Sequence, residues 1–311
     1  MANPPAEPIP HGHLPVLPDA VLDTLAPQPG QTLIDCTLGR GGHASLLIPR
    51  IPGGQYLAFD LDAGNGDYAR TRLAPLAEQH EVTLTIVHDS FTAMPAELDR
   101  LGITGVHGIH ADLGFASNQV DDPARGLSFL RDGPLDMRLD TTAPIAAEQL
   151  VNQLPEKELA DLIYRFGEER KSRRIARKIV ESRGATPIQT TAQLADLVRR
   201  ALGPAGSRPG FNPATRTFQA LRIAVNGELD ALEGLLAAAP ARLQTASGRL
   251  AVISFHSLED RPVKQAMQQW ESQGLGTRLT RKPLTATDEE AQTNPRARSA
   301  KLRAFQFSPS A

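Results

Sequence analysis

The sequence predicts an α/β fold, a mostly parallel, doubly wound sheet into which an all-helical domain is inserted. Three observations carry this expectation. A short apolar run, Leu33-Ile34, ends in Asp35, breaks into a turn with Gly39, Gly41 and Gly42, and passes into a helical pattern (Ala44, Leu46, Leu47, Ile48). Further apolar runs at Tyr56–Phe59, Val82–Val87 and Val106–Ala111 give way to polar residues in the same manner, which suits strands alternating with helices. From Thr142 to about Leu202 the pattern is helical, and no strand signal interrupts it.

Bulk composition narrows the class. A chain of 311 residues has a length prior of about two domains. Its 41% hydrophobic and 22% charged content is that of a soluble globular protein. A net charge of −2 excludes a polycation, so nucleic acid would have to be bound by a local patch. The single cysteine, Cys36, excludes an internal disulfide and a Cys-rich metal site, and suits a reducing, cytoplasmic location. There is no apolar run of about 18 residues and no charged-then-apolar leader, so neither a membrane span nor a signal peptide is expected. The Pro-rich stretch within residues 1–12 is expected to be disordered.

Taken in order, His13–Leu25 reads as a lead-in and a helix, and the strand and glycine turn follow. Tyr56–Phe59 is the second strand, ending in Asp60, and Val82–Val87 is the third, ending in His88-Asp89-Ser90-Phe91. Val106–Ala111 is the fourth, ending in Asp112-Leu113-Gly114. Phe115–Leu139 is polar, Gly/Pro-punctuated and aperiodic, and such a stretch in a compact domain usually serves function. Ala147–Val151, Lys157–Phe166, Ser172–Ser182 and Thr191–Leu202 read as the helices of the insert, and Gly203–Pro213 as its exit loop. Thr215–Asn226 and Glu228–Ala239 resume as helices, Arg249–Phe255 is a buried strand, Pro262–Trp270 a helix, and Leu302–Phe305 an edge strand. The α/β domain is thus expected over 13–116 and 214–311, and the helical domain over 117–213.

In such a sheet ligands bind at the carboxyl ends of the strands, and Asp35, Asp60, Phe91 and Asp112 all fall there. The turn reads D-x-x-x-G-x-G-G, which departs from the dinucleotide fingerprint. An acid ahead of the glycines suits adenosylmethionine, whose ammonium group needs an anionic partner. Asp60, 19 residues beyond Gly41, is where a ribose-binding acid stands. Phe91 could lie against an adenine, or simply belong to the core. The bland alternative for the whole stretch is an ordinary βα turn with a capping acid. Two basic segments stand out in this net-acidic chain. Arg170 to Lys178 carries six cations, with Arg170, Arg173, Arg174, Arg177 and Lys178 largely on one helix face, and Arg296, Arg298, Lys301 and Arg303 form the second. A solvated face offset by Glu168 and Glu169 is the alternative for the first. With aromatics at 5%, a single flipped base suits the chain better than a long stacking platform.

Beyond these patterns, HLPVL, DCTLGRGGH, the DLG after the fourth strand, QVDDPARGLSF, RDGPLDMRLD, FGEERKSRRIARKI, TRTFQALRIAVNGEL, VISFHSLEDRPVK and NPRARSAKLR resemble the bacterial RsmH (MraW) family, the 16S ribosomal RNA cytosine-N4 methyltransferases. The resemblance runs from about His13 to Arg303. It implies a class I adenosylmethionine-dependent methyltransferase fold and a cytoplasmic enzyme acting on a cytidine in the decoding region of the small subunit. By motif, Gly41, Gly42 and His43 resemble the cofactor loop, Asp60 the ribose-binding acid, and Phe91, Asp112 and Gln119 further cofactor contacts. The family's usual DLGVSSPQLD stands here as Asp112-Leu113-Gly114-Phe115-Ala116-Ser117-Asn118-Gln119-Val120-Asp121, with Phe115, Ala116 and Asn118 replacing valine, serine and proline. Asp112 is the candidate acceptor for an N4 proton, with pure cofactor binding as its other role. His256 is a second candidate, and a structural histidine the competing reading. The sulfonium is already activated, so no metal is expected. A homodimer is left open by the sequence. Rival classes are an NAD-dependent oxidoreductase, a non-catalytic RNA-binding or assembly factor, and a methyltransferase for DNA or a small molecule.

Overall fold

The computed structural model describes residues 14–203, 212–243 and 247–309. The expected disordered segment 1–12 lies outside these residues, as does most of the 203–213 exit loop. The chain divides into two compact units, one of residues 1–114 and 231–311 and one of residues 115–230.

The first unit is built on seven strands, β1 (Thr32–Asp35), β2 (Gln55–Asp60), β3 (Thr83–His88), β4 (Gly108–Asp112), β5 (Arg249–Ser254), β6 (Gly276–Arg278) and β7 (Lys301–Phe307). Their order is β3-β2-β1-β4-β5-β7-β6. The first five pair in parallel, and β7 runs antiparallel to both β5 and β6. Chain order reverses between β1 and β4, which opens the crevice where such sheets take ligands. Alternation of side chains explains why the central strands read as continuous apolar runs. Leu33, Tyr56, Ala58, Ala251 and Ile253 face one core with helices α1 (Pro18–Leu25), α2 (Gly42–Leu47) and α3 (Ala63–Gln79). Ile34, Leu57, Phe59, Leu250 and Val252 face the other, against α4 (Met94–Arg100).

The second unit holds α5 (Ser117–Asp121), α6 (Ala147–Gln153), α7 (Glu156–Gly167), α8 (Ser172–Arg183), α9 (Thr191–Leu202) and α10 (Thr215–Asn226), around their own core of Leu159, Ile163, Ile175, Ile179, Leu194, Val198 and Leu221. The unit boundaries differ from the expected 116/117 and 213/214. Helix α10, read from sequence as part of the α/β domain, packs on α7, where Gly167 lets the Arg216 backbone approach so closely that a Cβ would lie 2.4 Å from its carbonyl oxygen. Helix α11 (Glu228–Leu243) begins in the second unit and continues in the first. The aperiodic stretch 115–139 contains α5 and is pinned by local bonds. Asp122 accepts from Ala124 N, Arg138 holds both oxygens of Asp136, and Gly133 N donates to Thr191 Oγ1.

Three further expectations are corrected in the first unit. The last strand is not an edge, because the three-residue β6, too short to leave a periodic signal, lies outside β7. Helix α12 (Ser257–Ser272) starts five residues earlier than its apolar pattern. α13 (Asp288–Thr293) follows in the polar tail. Arg303, counted among the phosphate-facing cations, is 7% exposed, and its Nε and Nη2 donate to Asp260 at 2.7 and 3.2 Å. It is an internal ion pair between β7 and α12, with Lys301 4.0 Å from the same carboxylate. Asp260→Ala should therefore strand a buried guanidinium and lower the unfolding free energy by about 3 kcal/mol. A urea melt checks this, and an unchanged midpoint would show that Arg303 reaches water instead.

Candidate functional site

The glycine turn between β1 and α2 is shaped by positive φ at Gly39 (54°) and Gly41 (76°). At Gly41 a Cβ would also sit 2.9 Å from Leu73 Cδ1, so glycine is required there twice over. The turn is tied to the end of β2: Leu38 N donates to Phe59 O, and Gly39 N donates to Asp60 Oδ2 at 2.6 Å. Asp62 N donates to the other oxygen, Asp60 Oδ1, at 2.8 Å. Asp60 is thus a half-buried carboxylate whose oxygens are aimed by backbone amides. Burial pushes it up to about 6, against the pull of those two amides, with Asp62 and Asp35 adding repulsion.

Asp35 is buried and engaged within the protein. It is 1% exposed, its Oδ1 accepts from Thr37 N and its Oδ2 from the Tyr56 hydroxyl. Each oxygen is engaged by a protein donor, and the acid braces the turn from below.

Asp112, at the end of β4, is brought to the same edge. Its backbone N donates to Thr37 Oγ1 at 2.7 Å, so one threonine links the ends of β1 and β4. His43, 7% exposed in the first turn of α2, lies with Nδ1 3.9 Å from Asp112 Oδ2. Its Nε2 is 2.8 Å from Val16 O, and since a carbonyl only accepts, Nε2 carries the proton and Nδ1 turns its lone pair toward Asp112. His110 packs edge-on against His43 with ring centroids 4.4 Å apart. Burial lowers His43 to about 3, with His110 beside it contributing, and lowers His110 to about 4. Both rings are neutral near pH 7. Burial raises Asp112 to about 8, with the negative charges of Asp35 and Glu259 adding to it. Asp112 Oδ1 is buried and accepts no hydrogen bond among the described residues.

The remaining expected residues are more ordinary. Phe91 opens a single turn, Phe91–Ala93, after β3 and is half-buried against the sheet core, so part of its ring belongs to packing. Gln119, in the second unit, is 3% exposed, and its Oε1 accepts from Ala116 N, closing the first turn of α5. His256 precedes α12 with Nε2 3.2 Å from Glu259 Oε1, and Glu259, 2% exposed, also accepts from Phe255 N and His256 N. This agrees with a structural histidine.

The sequence profile of the MraW methylase family matches residues 10–308. The chain belongs to this family. Among its relatives is the Ribosomal RNA small subunit methyltransferase H of Sorangium cellulosum, 49% identical over 98% of this chain and 94% of that protein. The protein of the same name from Acidobacterium capsulatum is 50% identical over 94% of this chain and 97% of its own length, and that from Symbiobacterium thermophilum 43% over 94% and 95%. The strand order and the inserted helical unit are thus those of a class I, Rossmann-like methyltransferase fold. Membership removes the oxidoreductase reading.

In this methylase the basic helix α8 begins at Ser172, so Arg170 and Lys171 precede it rather than share its face. Ile175 and Ile179 face the core as expected. Arg173 pairs with Asp161 at 2.7 Å, Arg177 with Glu156 at 3.7 Å and Lys178 with Glu181 at 3.3 Å. All these pairs are exposed, so each holds its cation by less than about 1 kcal/mol and yields it readily to a phosphate.

Two residues escaped the sequence reading. Thr37 was hidden inside the turn, although a hydroxyl between an acid and a glycine turn is a recognisable bracing element. His110 was taken as part of a strand, and its burial in an apolar run was the available signal. Raised acids make a specific prediction. For Asp112 the native state holds a proton that the unfolded chain releases near 3.8, so its contribution to stability falls as pH rises and is lost through about 8. Between pH 6.5 and 8 the ligand-free protein should lose stability by up to about 1.4 kcal/mol per pH unit, less for the 23% of the side chain that is open. Chemical melts across that window should show a flatter slope for Asp112→Asn, and parallel slopes would mean Asp112 is already ionised at pH 6.5.

Proposed function

We propose that the protein transfers a methyl group from S-adenosylmethionine to the N4 amino group of a cytidine in the decoding region of 16S ribosomal RNA. The observation that carries the reading is Asp112, a partly buried carboxyl at the end of β4 whose buried Oδ1 has no partner among the described residues and whose neighbours are neutral histidines. The relatives named above as small-subunit ribosomal RNA methyltransferases support the substrate class, and the motif resemblance supports the N4 position.

The residues fit the methyl donor. Asp60, whose carboxylate is aimed by Gly39 N and Asp62 N, would hold the ribose hydroxyls. Gly41, Gly42 and His43 form the turn along which the amino-acid part would lie, the half-buried Phe91 offers ring edge to the adenine, and Asp112 offers its unsatisfied oxygen to a positive group. Gln119 contributes by fixing the 116–119 turn. The bound donor supplies an activated methyl group, so no metal is called for. What the protein must supply is a nucleophile: the N4 lone pair is conjugated into the ring, and it becomes available as the amino group turns and sheds a proton. A cation beside Asp112 lowers its affinity for a proton, so the carboxyl enters the reaction ionised. The carboxylate would then accept the hydrogen bond of the N4 amino group and take its proton as the N–C bond forms and the methyl C–S bond breaks, the electron pair staying on sulfur as a neutral thioether. The lone pair of His43 Nδ1 faces the same carboxyl, and its fixed tautomer keeps a competing donor away.

The test is labelled S-adenosylmethionine mixed with small subunits from a strain lacking this modification, followed by nucleoside analysis. Label at a single N4-methylcytidine is expected, and label in another nucleoside overturns the assignment. Asp112→Asn should lower turnover by about 100-fold with donor saturating; unchanged turnover confines Asp112 to binding. Replacing Arg173, Arg174 and Arg177 together with Ala should weaken subunit binding and reduce the slope of log affinity against log salt by about 2. An unaltered slope means α8 does not meet phosphate.

A further inference from the structure

Phe115, the first residue of the second unit, is a large apolar side chain that the fold leaves 39% exposed, although Leu113 two residues earlier is buried. One face of its ring is covered by the guanidinium of Arg222, 4.6 Å from the ring centroid. That guanidinium is held rigidly. Its Nε and Nη2 donate to Glu228 Oε1 and Oε2 at 2.8 and 2.9 Å, and both side chains are only 12% exposed. The helix end that carries it is fixed in turn, because Asn226 Nδ2 donates to Arg222 O and Met137 O while its Oδ1 accepts from Leu139 N.

The chemistry of this stack is specific. A free arginine would attract a phosphate, but here the charge is met by a bidentate carboxylate. What is left outward is a flat, polarisable ring backed by that guanidinium, and its surface suits the face of a nucleobase rather than its backbone. We infer that Phe115 is a stacking shelf for a base of the RNA substrate, backed by Arg222 and set by the Arg222–Glu228 pair. This rests on the ribosomal RNA reading above and names the residue that grips a base.

The test uses the full-length protein with Phe115→Leu and Phe115→Trp, measuring the dissociation constant for small ribosomal subunits by filter binding, methyl transfer to the same subunits, and the KM for S-adenosylmethionine. A shelf predicts that Leu, which keeps apolar bulk and loses the π face, weakens subunit binding by about 10-fold. Trp should stay within about 3-fold of the parent, and the KM for the donor should be unchanged in both. Parent-like binding by the Leu variant, equal losses in Leu and Trp, or a change confined to the donor KM each overturns the shelf. If the parent protein binds subunits without methylating them, the transfer reading fails while the Leu–Trp comparison still decides the shelf. If it does not bind them, both fall.

Discussion

Burial of ionisable groups where β1 and β4 end is the constraint on which the site depends. Asp35, His43, His110 and Asp112 crowd into a region that charges avoid, and each escapes the cost differently. Asp35 is fully hydrogen-bonded, the two imidazoles are neutral, and Asp112 keeps its proton near neutral pH. Only Asp112 retains an unsatisfied oxygen, which costs of order 1–3 kcal/mol while it stays so. A ligand bearing positive charge beside it relieves that cost. Under the proposed function, that unsatisfied oxygen would favour a cationic donor over its neutral product.

This arrangement follows from the parallel sheet. Parallel strands all deliver their carboxyl ends to one edge, so acids far apart in sequence meet there without further design. Thr37 does the local work, donating its own amide N–H to Asp35 and accepting from Asp112 N at its hydroxyl oxygen. The glycines allow the turn to fold back far enough for Gly39 N to reach Asp60.

The sheet and its carboxyl edge were legible because strand alternation and Gly turns are local signals: β1, β2, β4 and β5 were found within two residues of their ends. Helices α9 and α10 were found at their observed limits, yet the unit to which α10 belongs was not, since its partner α7 is set by packing at Gly167 rather than by any periodicity. The same limit applies to charge. A sequence shows that Arg303 and Lys301 are cations, not that Arg303 is buried on Asp260, and it shows Asp35 at a strand end, not that Tyr56 and Thr37 bond to it. The Arg222–Phe115 stack has no sequence signal, because its members are more than a hundred residues apart.

The most direct test of the buried-carboxyl account is calorimetry of S-adenosylmethionine binding at pH 7 in buffers of different ionisation enthalpy. With Asp112 raised to about 8 before binding and ionised after it, release of about one proton per donor bound is expected, and none from Asp112→Asn. Binding without proton release in the parent protein would contradict it, for Asp112 would then already be charged and its oxygen satisfied some other way.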